Sequence, residues 1–462
     1  MKKVVLLGAG PAALAAGYEL ARNNFAVTLI EREGQVGGIS KTIKSKCYRF
    51  DVGGHRFFTK SREVNNLWKE ILGRDFIKTP RLSRIYYNRK FFKYPIEIKD
   101  TLKNAGFGTS ILCLLSYAKS KVFPKKPEKS FADWVSNRFG RKLFMMFFKS
   151  YTEKVWGIST EELSAEWAAQ RIKGLSISEV IKNAIFKPKV KAKSLIDEFY
   201  YPKYGPGMMY EAMAKKITGL GGEIILNHNV VALIIKDKKI IAVKISDKNS
   251  KISTIKGDEF ISTIPLPDTC GFLASERINL TKQLKFRDFL SVNLVVKKKN
   301  IFPDTWIYVH DPTVRLGRIQ NFKNWSKFMT ANPNYSPIGC EYFCNQGDEI
   351  WNTPDIELIK LATTEISQIG FSRPDQVLFG NVYRMRDAYP VYMGSYHQAI
   401  EKAKRTLAKF KNLQVAGRGG MFRYNNMDHS ILSGIYAARN IMGEKHDLWS
   451  INADEEYHEN KK

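Results

Sequence analysis

The sequence contains no long hydrophobic run, and its first residues do not have the pattern expected of a secretory leader. A membrane-spanning helix needs about 20 consecutive apolar residues, and the nearest approach, Ile111–Ala118, is far shorter. A secretory signal places an apolar segment and a cleavage site after its basic residues. Here Met1-Lys2-Lys3 runs directly into a short apolar strand. We therefore expect neither a membrane span nor a signal peptide.

Cysteine is scarce and follows no pattern. Five cysteines, at positions 47, 113, 270, 340 and 344, are scattered through 462 residues. Cys340 and Cys344 are four residues apart, but no second pair and no histidines at metal-ligand spacing accompany them. An odd, unpatterned set argues against a disulfide framework and against a metal site. It predicts reduced thiols in a cytosolic protein.

Acidic residues are few relative to basic ones. The 45 Asp and Glu residues stand against 74 Lys and Arg, which gives a formal net charge of +29. Such a charge can serve nucleic-acid binding, but we find no RNA-binding signature and no basic helix-turn-helix pattern. We therefore predict no nucleic-acid partner. Because the lysines are spread through the chain, their excess fits either compositional bias or attraction to anionic substrates or an anionic membrane surface.

The N-terminal segment has the order strand, glycine turn, helix and strand, and it ends in an acid. This order is typical of a dinucleotide-binding βαβ unit. Gly8 permits the tight turn, and Gly10 lets the backbone approach a pyrophosphate. Pro11 and Ala12 open the helix, whose N-terminus faces the phosphates. Glu31 lies about 20 residues further on, where a carboxylate accepts hydrogen bonds from ribose hydroxyls.

The residues after Glu31 indicate which dinucleotide is bound. Arg32 is followed by the pair Gly37-Gly38 and, later, by Gly53-Gly54-His55. An acid followed closely by two glycines resembles the two-glycine-motif flavoproteins, the amine oxidase and sugar mutase superfamily. The resemblance implies FAD and not NAD. It places Gly37-Gly38 at the pyrophosphate and the Gly53-Gly54 turn against the flavin.

The whole pattern predicts an α/β fold. We expect a discontinuous Rossmann-like FAD-binding domain, a helical insertion and a second, antiparallel-sheet substrate domain. The predicted boundaries are 1–82, 203–270 and 400–445 for the FAD-binding domain, 96–200 for the helical insertion, 83–95 and 271–399 for the sheet domain, and 446–462 for a polar tail.

Local spacing predicts several elements of these domains. We expect a helix over 59–82 and a hairpin at 84–95 that turns at Asn88-Arg89. Gly221–Val230 is predicted to be a strand that returns to the nucleotide sheet, with Val230 at the cofactor. Further predictions are a helix at 208–219, strands over 231–246 and 259–264, an antiparallel sheet over 287–346 and a last helix at Ile431–Ile441.

Two segments are strongly basic. Leu114–Lys129 changes from apolar to basic and is broken by two prolines. It fits either a basic linker on a helical bundle or a peripheral membrane foot. The second segment, Lys187–Lys193, has the composition of a mobile loop.

Four further segments carry a more specific resemblance. They are Asp51–Phe58, Lys154–Gly157 with Trp167–Arg171, Trp306–Tyr308 with Arg318, and Gly417–His429. In order and spacing they are similar to the UDP-galactopyranose mutase family, particularly its longer eukaryotic type. The likeness runs over nearly the whole chain.

This resemblance implies a substrate site beside the flavin. The backbone of His55 would contact the flavin near N5, and Arg171 and Arg318 would clamp the substrate diphosphate. A guanidinium suits that role because its planar fork matches phosphate oxygens. Trp156 would line the sugar-phosphate pocket, and three tyrosines would bind the phosphates: Tyr308, Tyr389 and Tyr424.

The C-terminal turn completes the site that the resemblance implies. Gly417 begins a glycine turn that brings the last helix to the flavin, and Arg418 would lie beside the flavin ring. Asn426, Met427 and Asp428 would lie near the flavin and the sugar. The implied catalytic residues are therefore His55, Arg171, Arg318, Arg418 and Asn426.

The chemistry of that family involves no net redox change. It implies that N5 of reduced FAD attacks the anomeric carbon, so that a flavin–sugar adduct forms and the sugar ring opens and recloses through a different hydroxyl. The predicted function is interconversion of pyranose and furanose forms of a glycosyl phosphate or diphosphate, for cell-surface polysaccharide synthesis. NAD(P)H is the expected reductant.

The sequence departs from the family where the nucleotide would be read. Ile96 and Glu97 replace an aromatic residue and an amide, and Thr152 replaces an asparagine. A carboxylate is a poor substitute where an amide would hydrogen-bond a uracil. The carrier therefore stays open between UDP, another nucleotide and a polyprenyl phosphate. The last would place the protein at the cytoplasmic face of the membrane.

Two other functional classes stay open. A flavin oxidase or desaturase of the amine oxidase or protoporphyrinogen oxidase type shares the nucleotide motifs but would not need both Arg171 and Arg318. Net hydride loss distinguishes it from a mutase. A non-catalytic flavin-binding or scaffold protein at a membrane would show no turnover that depends on reduced flavin. The sequence does not indicate an oligomeric state.

Overall fold

The computed structural model describes residues 1–94, 96, 98–165, 168, 198–273, 280–394 and 396–452. Its strands are β1 (Lys3–Leu7), β2 (Ala26–Ile30), β3 (Thr42–Ser45), β4 (Tyr48–Asp51), β5 (Phe76–Pro80), β6 (Ser83–Tyr87), β7 (Lys90–Lys93), β8 (Glu198–Pro202), β9 (Glu223–Ile225), β10 (Asn229–Lys236), β11 (Lys239–Ser246), β12 (Ile252–Lys256), β13 (Glu259–Ser262), β14 (Phe286–Val296), β15 (Trp306–Val309), β16 (Arg318–Asn321), β17 (Ser336–Cys344), β18 (Val377–Pro390) and β19 (Leu413–Val415).

The helices are α1 (Pro11–Ala21), α2 (Arg62–Leu72), α3 (Ile98–Ala105), α4 (Phe107–Val122), α5 (Phe131–Phe139), α6 (Arg141–Phe144), α7 (Ser150–Trp156), α8 (Gly207–Gly219), α9 (Leu266–Leu273), α10 (Phe322–Trp325), α11 (Glu349–Asn352), α12 (Asp355–Gln368), α13 (Tyr396–Leu407), α14 (Gly417–Gly420) and α15 (Met427–Ile441). A π-helical turn, Met145–Lys149, joins α6 to α7. Among the described residues, no helix is both long enough and apolar enough to cross a membrane.

A parallel sheet forms the nucleotide half of the molecule. Its five strands lie in the order β19-β13-β1-β2-β9, and each adjacent pair runs parallel. The short apolar runs of β1 and β2 are largely buried, as expected for parallel strands covered on both faces. The predicted α/β class with a Rossmann-like sheet is confirmed.

Two helices from opposite ends of the chain pack on each other beside this sheet. A Cβ atom added to Gly434 of α15 would overlap the carbonyl oxygen of Ala12 in α1. The backbones therefore approach so closely that α15 can hold no side chain at this position. α1 itself is buried along nearly its whole length, so it forms the centre of the main hydrophobic core.

A second sheet carries the other half of the molecule. Its seven strands lie in the order β18-β14-β17-β16-β15-β6-β7. The predicted antiparallel second sheet is confirmed, and it contains one parallel pair, β15 with β6. The predicted hairpin is confirmed as β6 and β7, and both of its turn residues, Asn88 and Arg89, have positive φ angles.

Three local predictions need correction. The predicted helix over 59–82 is α2 alone, and Phe76–Pro80 forms β5, which pairs with β8. β9 joins the nucleotide sheet as expected, but β10 leaves it and forms a separate three-stranded sheet with β11 and β12. The last helix begins at Met427, four residues before the predicted start, with Asn426 at its N-cap.

The region predicted as a helical insertion, 96–200, is mainly helical from Ile98 to Trp156, but its last described residues begin strand β8 at Glu198. It contains α3 to α7, and α5 begins with a capping box between Ser130 and Asp133. The predicted loop Lys187–Lys193 lies outside the described residues. All five cysteines are free thiols, and Cys47 alone among them is exposed.

Candidate active site

A cavity of about 770 Å³ opens at the carboxyl ends of the parallel strands. This edge of a parallel sheet is where open α/β folds bind ligands. All of the predicted cofactor residues except Gly37 line the cavity: Gly8, Gly10, Pro11, Ala12, Glu31, Arg32, Gly38, Gly54, His55, Val230, Gly417, Arg418, Asn426, Met427 and Asp428. Gly37 lies behind this wall, where its N–H donates a hydrogen bond to the carbonyl of Ala9 (2.8 Å).

The first glycine turn leaves the cavity free of side chains. Gly8 has a φ of +105°, and a Cβ there would overlap Oγ1 of Thr263. Gly10 faces the Cα of Gly38 and lines the cavity, so a side chain at Gly10 would extend into the cavity itself. No side chain caps α1, which leaves the N–H groups of its first turn available to an anionic ligand.

The carboxylate of Glu31 is held in place at the end of β2. It accepts hydrogen bonds from the backbone N–H groups of Ala9 (2.8 Å) and Glu33 (3.0 Å) and is buried. Arg32 follows it on the cavity wall and forms an ion pair with Asp387 (3.3 Å). Because each carboxylate oxygen can accept more than one hydrogen bond, Glu31 can still accept from a ribose hydroxyl.

The C-terminal turn closes the opposite side of the cavity. Gly417 has a φ of +79°, and a Cβ there would lie 2.9 Å from the Cβ of Ala12. α15 begins at this wall without a side-chain cap at Asn426. Oδ1 of Asp428 is buried and has no hydrogen-bond partner among the described residues. One cavity is therefore faced by two helix N-termini, by two glycine turns without side chains and by an unpaired acceptor. This set of donors and acceptors fits a flavin dinucleotide.

His55 lies at the junction of the two halves of the molecule. Its Nε2–H donates a hydrogen bond to the carbonyl of Val52 (2.7 Å). Burial, together with the nearby Arg418 and Arg318 guanidinium groups, lowers the pKa of His55 to about 4. The imidazole is therefore neutral at pH 7. Just before it, a Cβ on Gly54 would lie 2.7 Å from Nε2 of Gln320, so the turn packs directly on the second sheet.

Three polar residues form a row across that second sheet. Tyr308 of β15 lies opposite Arg318 of β16, which in turn lies opposite Glu341 of β17. The Glu341 carboxylate is fully buried and accepts from Nε (2.9 Å) and Nη2 (2.5 Å) of Arg318. Burial alone would lower the pKa of Arg318, but the combined effect of Glu341, Tyr151 and Tyr389 outweighs burial and raises it. The guanidinium is therefore charged and fixed, with Nη1 directed away from the carboxylate.

Two arginines, Arg318 and Arg418, lie where the second sheet approaches the cavity wall. Nη2 of Arg318 lies 4.0 Å from where a Cβ of Gly53 would be. The guanidinium carbon of Arg418 lies 4.7 Å from the ring centre of Tyr424 and 5.6 Å from that of Tyr389. These two tyrosine rings stack at 5.7 Å with an angle of 18° between their planes.

Tyr308 is surrounded by two further tyrosines. Its ring centre lies 4.8 Å from that of Tyr94 and 5.5 Å from that of Tyr151. The neighbouring Tyr308 and burial raise the pKa of Tyr94 to about 12. Burial likewise raises the pKa of Tyr151 and of Tyr389 above the usual value. These phenols are therefore protonated at neutral pH and can donate hydrogen bonds.

The structure brings most of the predicted substrate residues together, but outside the cofactor cavity. Tyr308, Arg318, Tyr389 and Tyr424 form a cluster behind the cavity wall and do not line it. Trp156 is buried in the main core and does not line the cavity either. Arg171 lies outside the described residues, so the predicted diphosphate clamp of Arg171 and Arg318 stays a prediction.

Sequence reasoning missed Glu341, Gln320, Tyr94 and Tyr151. Glu341 is the single carboxylate within the apolar strand β17, which is a signal that could have found it. Gln320 lies two residues from Arg318 on the same face of β16 and donates to the other oxygen of Glu341 (2.8 Å). Neither tyrosine carries a comparable signal, because each reaches Tyr308 through packing of distant segments.

The fold and the cavity together define a flavin-dinucleotide-binding α/β protein. The chain belongs to the flavin containing amine oxidoreductase family, whose model matches residues 12–442. It is therefore a flavin-dependent enzyme of the amine oxidase superfamily.

Individual relatives are more distant. A solved structure of reduced UDP-galactopyranose mutase has a TM-score of 0.83 at 19% identity, with 98% of this chain and 98% of that chain covered. At this identity the likeness establishes the shared fold.

Two curated relatives match over shorter stretches. An L-amino-acid oxidase of Sistrurus catenatus edwardsii is 32% identical over 122 residues, which cover 23% of each chain. A probable UDP-galactopyranose mutase of Klebsiella pneumoniae is 26% identical over 174 residues, covering 36% of this chain and 43% of that one. The chain therefore spans less than half the length of these curated relatives.

Proposed function

We propose that the protein is an FAD-dependent sugar mutase that interconverts pyranose and furanose forms of a glycosyl phosphate or diphosphate. The observation that carries this proposal is the fixed Arg318–Glu341 pair next to the Gly53–His55 turn. A plain amine oxidase reaction has no phosphate to bind, so it gives no reason for a buried guanidinium at this point. The likeness to the mutase structure supports the same proposal.

The charges of the cluster favour an anionic substrate. Arg318 and Arg418 contribute two positive charges, and Glu341 contributes one negative charge, so the three side chains together are positive. Arg418 uses Nε and Nη1 to donate to the carbonyls of Asn425 (2.9 Å) and Ala388 (3.0 Å). Both guanidinium groups are thus held in position before substrate binds, which is what stabilisation of a charged leaving group requires.

The protein's own contribution is to bind and orient the substrate. Arg318 would bind a phosphate oxygen through the part of its guanidinium that Glu341 does not use. The protonated hydroxyls of Tyr94 and Tyr389 would donate to further phosphate oxygens. Reduced flavin, when bound in the cavity, supplies the nucleophile for the anomeric carbon. Neutral His55 holds the Gly53-Gly54 turn at the junction between cavity and cluster.

The relatives also favour a second candidate, a flavin oxidoreductase that removes a hydride. The family and the L-amino-acid oxidase match support it. The two candidates differ in their electron balance. A mutase needs reduced flavin but consumes no reductant per product, whereas an oxidase transfers two electrons from each substrate molecule to an acceptor.

The test is turnover of a panel of glycosyl phosphates by chemically reduced and by oxidised enzyme. For a mutase we expect ring-size isomers with reduced enzyme alone and no stoichiometric use of NAD(P)H, which would serve to reduce the flavin initially. Equal turnover in both redox states, or one reductant or oxidant consumed per product, would favour the oxidoreductase. The panel should include UDP-, other nucleotide- and polyprenyl-linked sugars, because Ile96, Glu97 and Thr152 depart from the mutase pattern where the nucleotide would be read. Of these three, Glu97 lies outside the described residues.

A further inference from the structure

Helix α4 has its apolar side directed outward. Phe107, Ile111, Leu114, Leu115 and Val122 are between 40% and 84% exposed, although a helix on a globular core normally buries such residues. The buried side is marked by Cys113, which packs in a small core with Phe92 and Met146.

The exposed apolar residues lie on one continuous stripe. Phe107, Ile111, Leu115, Ala118 and Val122 follow one another at intervals of three or four residues, which places them on one face of a helix. Phe123, 75% exposed, extends this stripe beyond the end of α4. A contiguous patch of this kind marks an interaction surface on a soluble fold.

The charge around the stripe is of one sign. No acidic residue occurs between Asp100 and Glu128. Four lysines in and after α4 are exposed: Lys119, Lys121, Lys126 and Lys129. A fifth, Lys125, is paired with Asp133 (2.5 Å). Lys119 and Lys121 lie on either side of the stripe, where their alkyl chains can run along an apolar surface and their ammonium groups can reach anionic groups beside it.

We propose that α4 and the segment up to Lys129 form a membrane-docking surface that lies in the plane of an anionic phospholipid bilayer. The apolar stripe would enter the boundary between headgroups and acyl chains, and the lysines would contact lipid phosphates. A second copy of the chain would pair this lysine-rich surface with an identical one, and like charges would repel. A bilayer with anionic lipid supplies both the apolar and the negative component.

Docking through α4 would place the candidate active site close to the bilayer. The core that buries Cys113 also includes Phe92 and Phe147, and Tyr308 packs against it. The docked helix would therefore lie one layer of side chains from the tyrosine cluster. This relation does not depend on the proposed activity, because docking can be measured with no substrate present.

The test is flotation of the flavin-loaded protein with vesicles. One set would contain 30% phosphatidylglycerol in phosphatidylcholine, and the other phosphatidylcholine alone, each at low and at high salt. We expect flotation with the anionic set at low salt and at least about a tenfold weaker partition at high salt or without anionic lipid. Absence of flotation under every condition would overturn the proposal.

Two double variants of the proposed surface, each compared with a control double variant elsewhere, locate the surface. Ile111→Ser with Leu115→Ser should reduce partition at least about tenfold, whereas Ile356→Ser with Leu378→Ser, at comparably exposed positions elsewhere, should leave it unchanged. Lys119→Gln with Lys121→Gln should weaken binding, and Lys248→Gln with Lys251→Gln should have a smaller effect. Flavin absorbance checks that each variant is folded. Equal loss in the control pairs, or an α4-dependent dimer in sedimentation without lipid binding, would contradict a bilayer partner.

Discussion

Arg318 and Glu341 face each other across neighbouring strands, and one oxygen of the buried carboxylate accepts from both Nε and Nη2 of the guanidinium. The pair fixes a positive charge 4.0 Å from the Cβ position of Gly53, at the junction between the cofactor cavity and the tyrosine cluster. A buried charge must be paired to be tolerated. Glu341 therefore sets both the charge state and the direction of Arg318.

Arg318→Ala should reduce turnover without releasing the flavin. Loss of a buried charged contact to substrate costs about 2–5 kcal/mol, so kcat/KM should fall by a factor of about 30 to 5,000. Arg315→Ala is a matched control, because Arg315 lies three residues away but pairs with Glu349 at the surface. Steady-state kinetics and the flavin spectrum measure the two effects. Near-normal kinetics for Arg318→Ala would remove this residue from the substrate site.

Glu341→Gln should lower stability, because it leaves the Arg318 guanidinium buried without a counter-charge. Removal of one partner of a buried ion pair typically costs about 3–5 kcal/mol. Urea unfolding should show this loss, and a double variant, Glu341→Gln with Arg318→Met, should recover much of it. If the double variant were less stable than the single one, the unpaired charge would not be the cause.

Gly10→Leu should abolish flavin binding while the chain still folds. A Cβ at Gly10 meets only the Cα of Gly38 at 3.8 Å, so the protein itself tolerates a side chain that then enters the cavity. The measurement is flavin content per chain after purification, with circular dichroism for the fold. Gly271→Leu is the control, because a Cβ there meets nothing within 4 Å. A Gly10→Leu protein with full flavin content would contradict the assigned cavity.

The stability of the protein should depend on pH through His55 and Asp51 with opposite signs. His55 has a pKa of about 4 when folded and about 6.5 when unfolded. Between these values the unfolded chain binds more protons, so this contribution to stability is complete above pH 6.5 and lost as pH falls to 4.

Asp51 provides the contrast. Burial, opposed by hydrogen bonds from Tyr201 and Thr42, raises its pKa from 3.8 to about 7. Its contribution therefore increases as pH falls from 7 to 3.8. The unfolding free energy of His55→Gln and Asp51→Asn, compared with wild type from pH 4 to 8, should show difference curves of opposite slope. Parallel curves for all three proteins would contradict both pKa shifts.

Much of the fold could be predicted because its signals are local. The strand, glycine turn and helix from Lys3 to Ala21 are adjacent in sequence, so composition and periodicity suffice to place them. The errors concern long-range pairing. Gly73, with a φ of +51°, ends α2 and is a local signal for a break, but the strand Phe76–Pro80 after it pairs with a distant partner, Glu198–Pro202. The parallel pairing of β15 with β6 likewise depends on segments far apart in the chain.

The candidate site likewise contains residues that could be predicted from local motifs and residues that could not. The cavity-lining glycines and Glu31 could be named from motifs whose spacing follows the shape of a dinucleotide. Glu341, in contrast, matters because it lies opposite Arg318 across the sheet, and strand register is invisible in a single sequence. Tyr151 belongs to the site only because α7 packs against β15, and no local pattern indicates that contact.

The close contact between Gly434 and Ala12 also determines when the protein can acquire its cofactor. Synthesis delivers α1 well before α15, and domains fold as their residues emerge. Until α15 has left the ribosome, the cavity lacks the wall formed by Gly417, Arg418 and the residues around Asn426. We therefore expect flavin capture only after α15 has emerged, and a nascent chain arrested before Gly417 should retain no flavin.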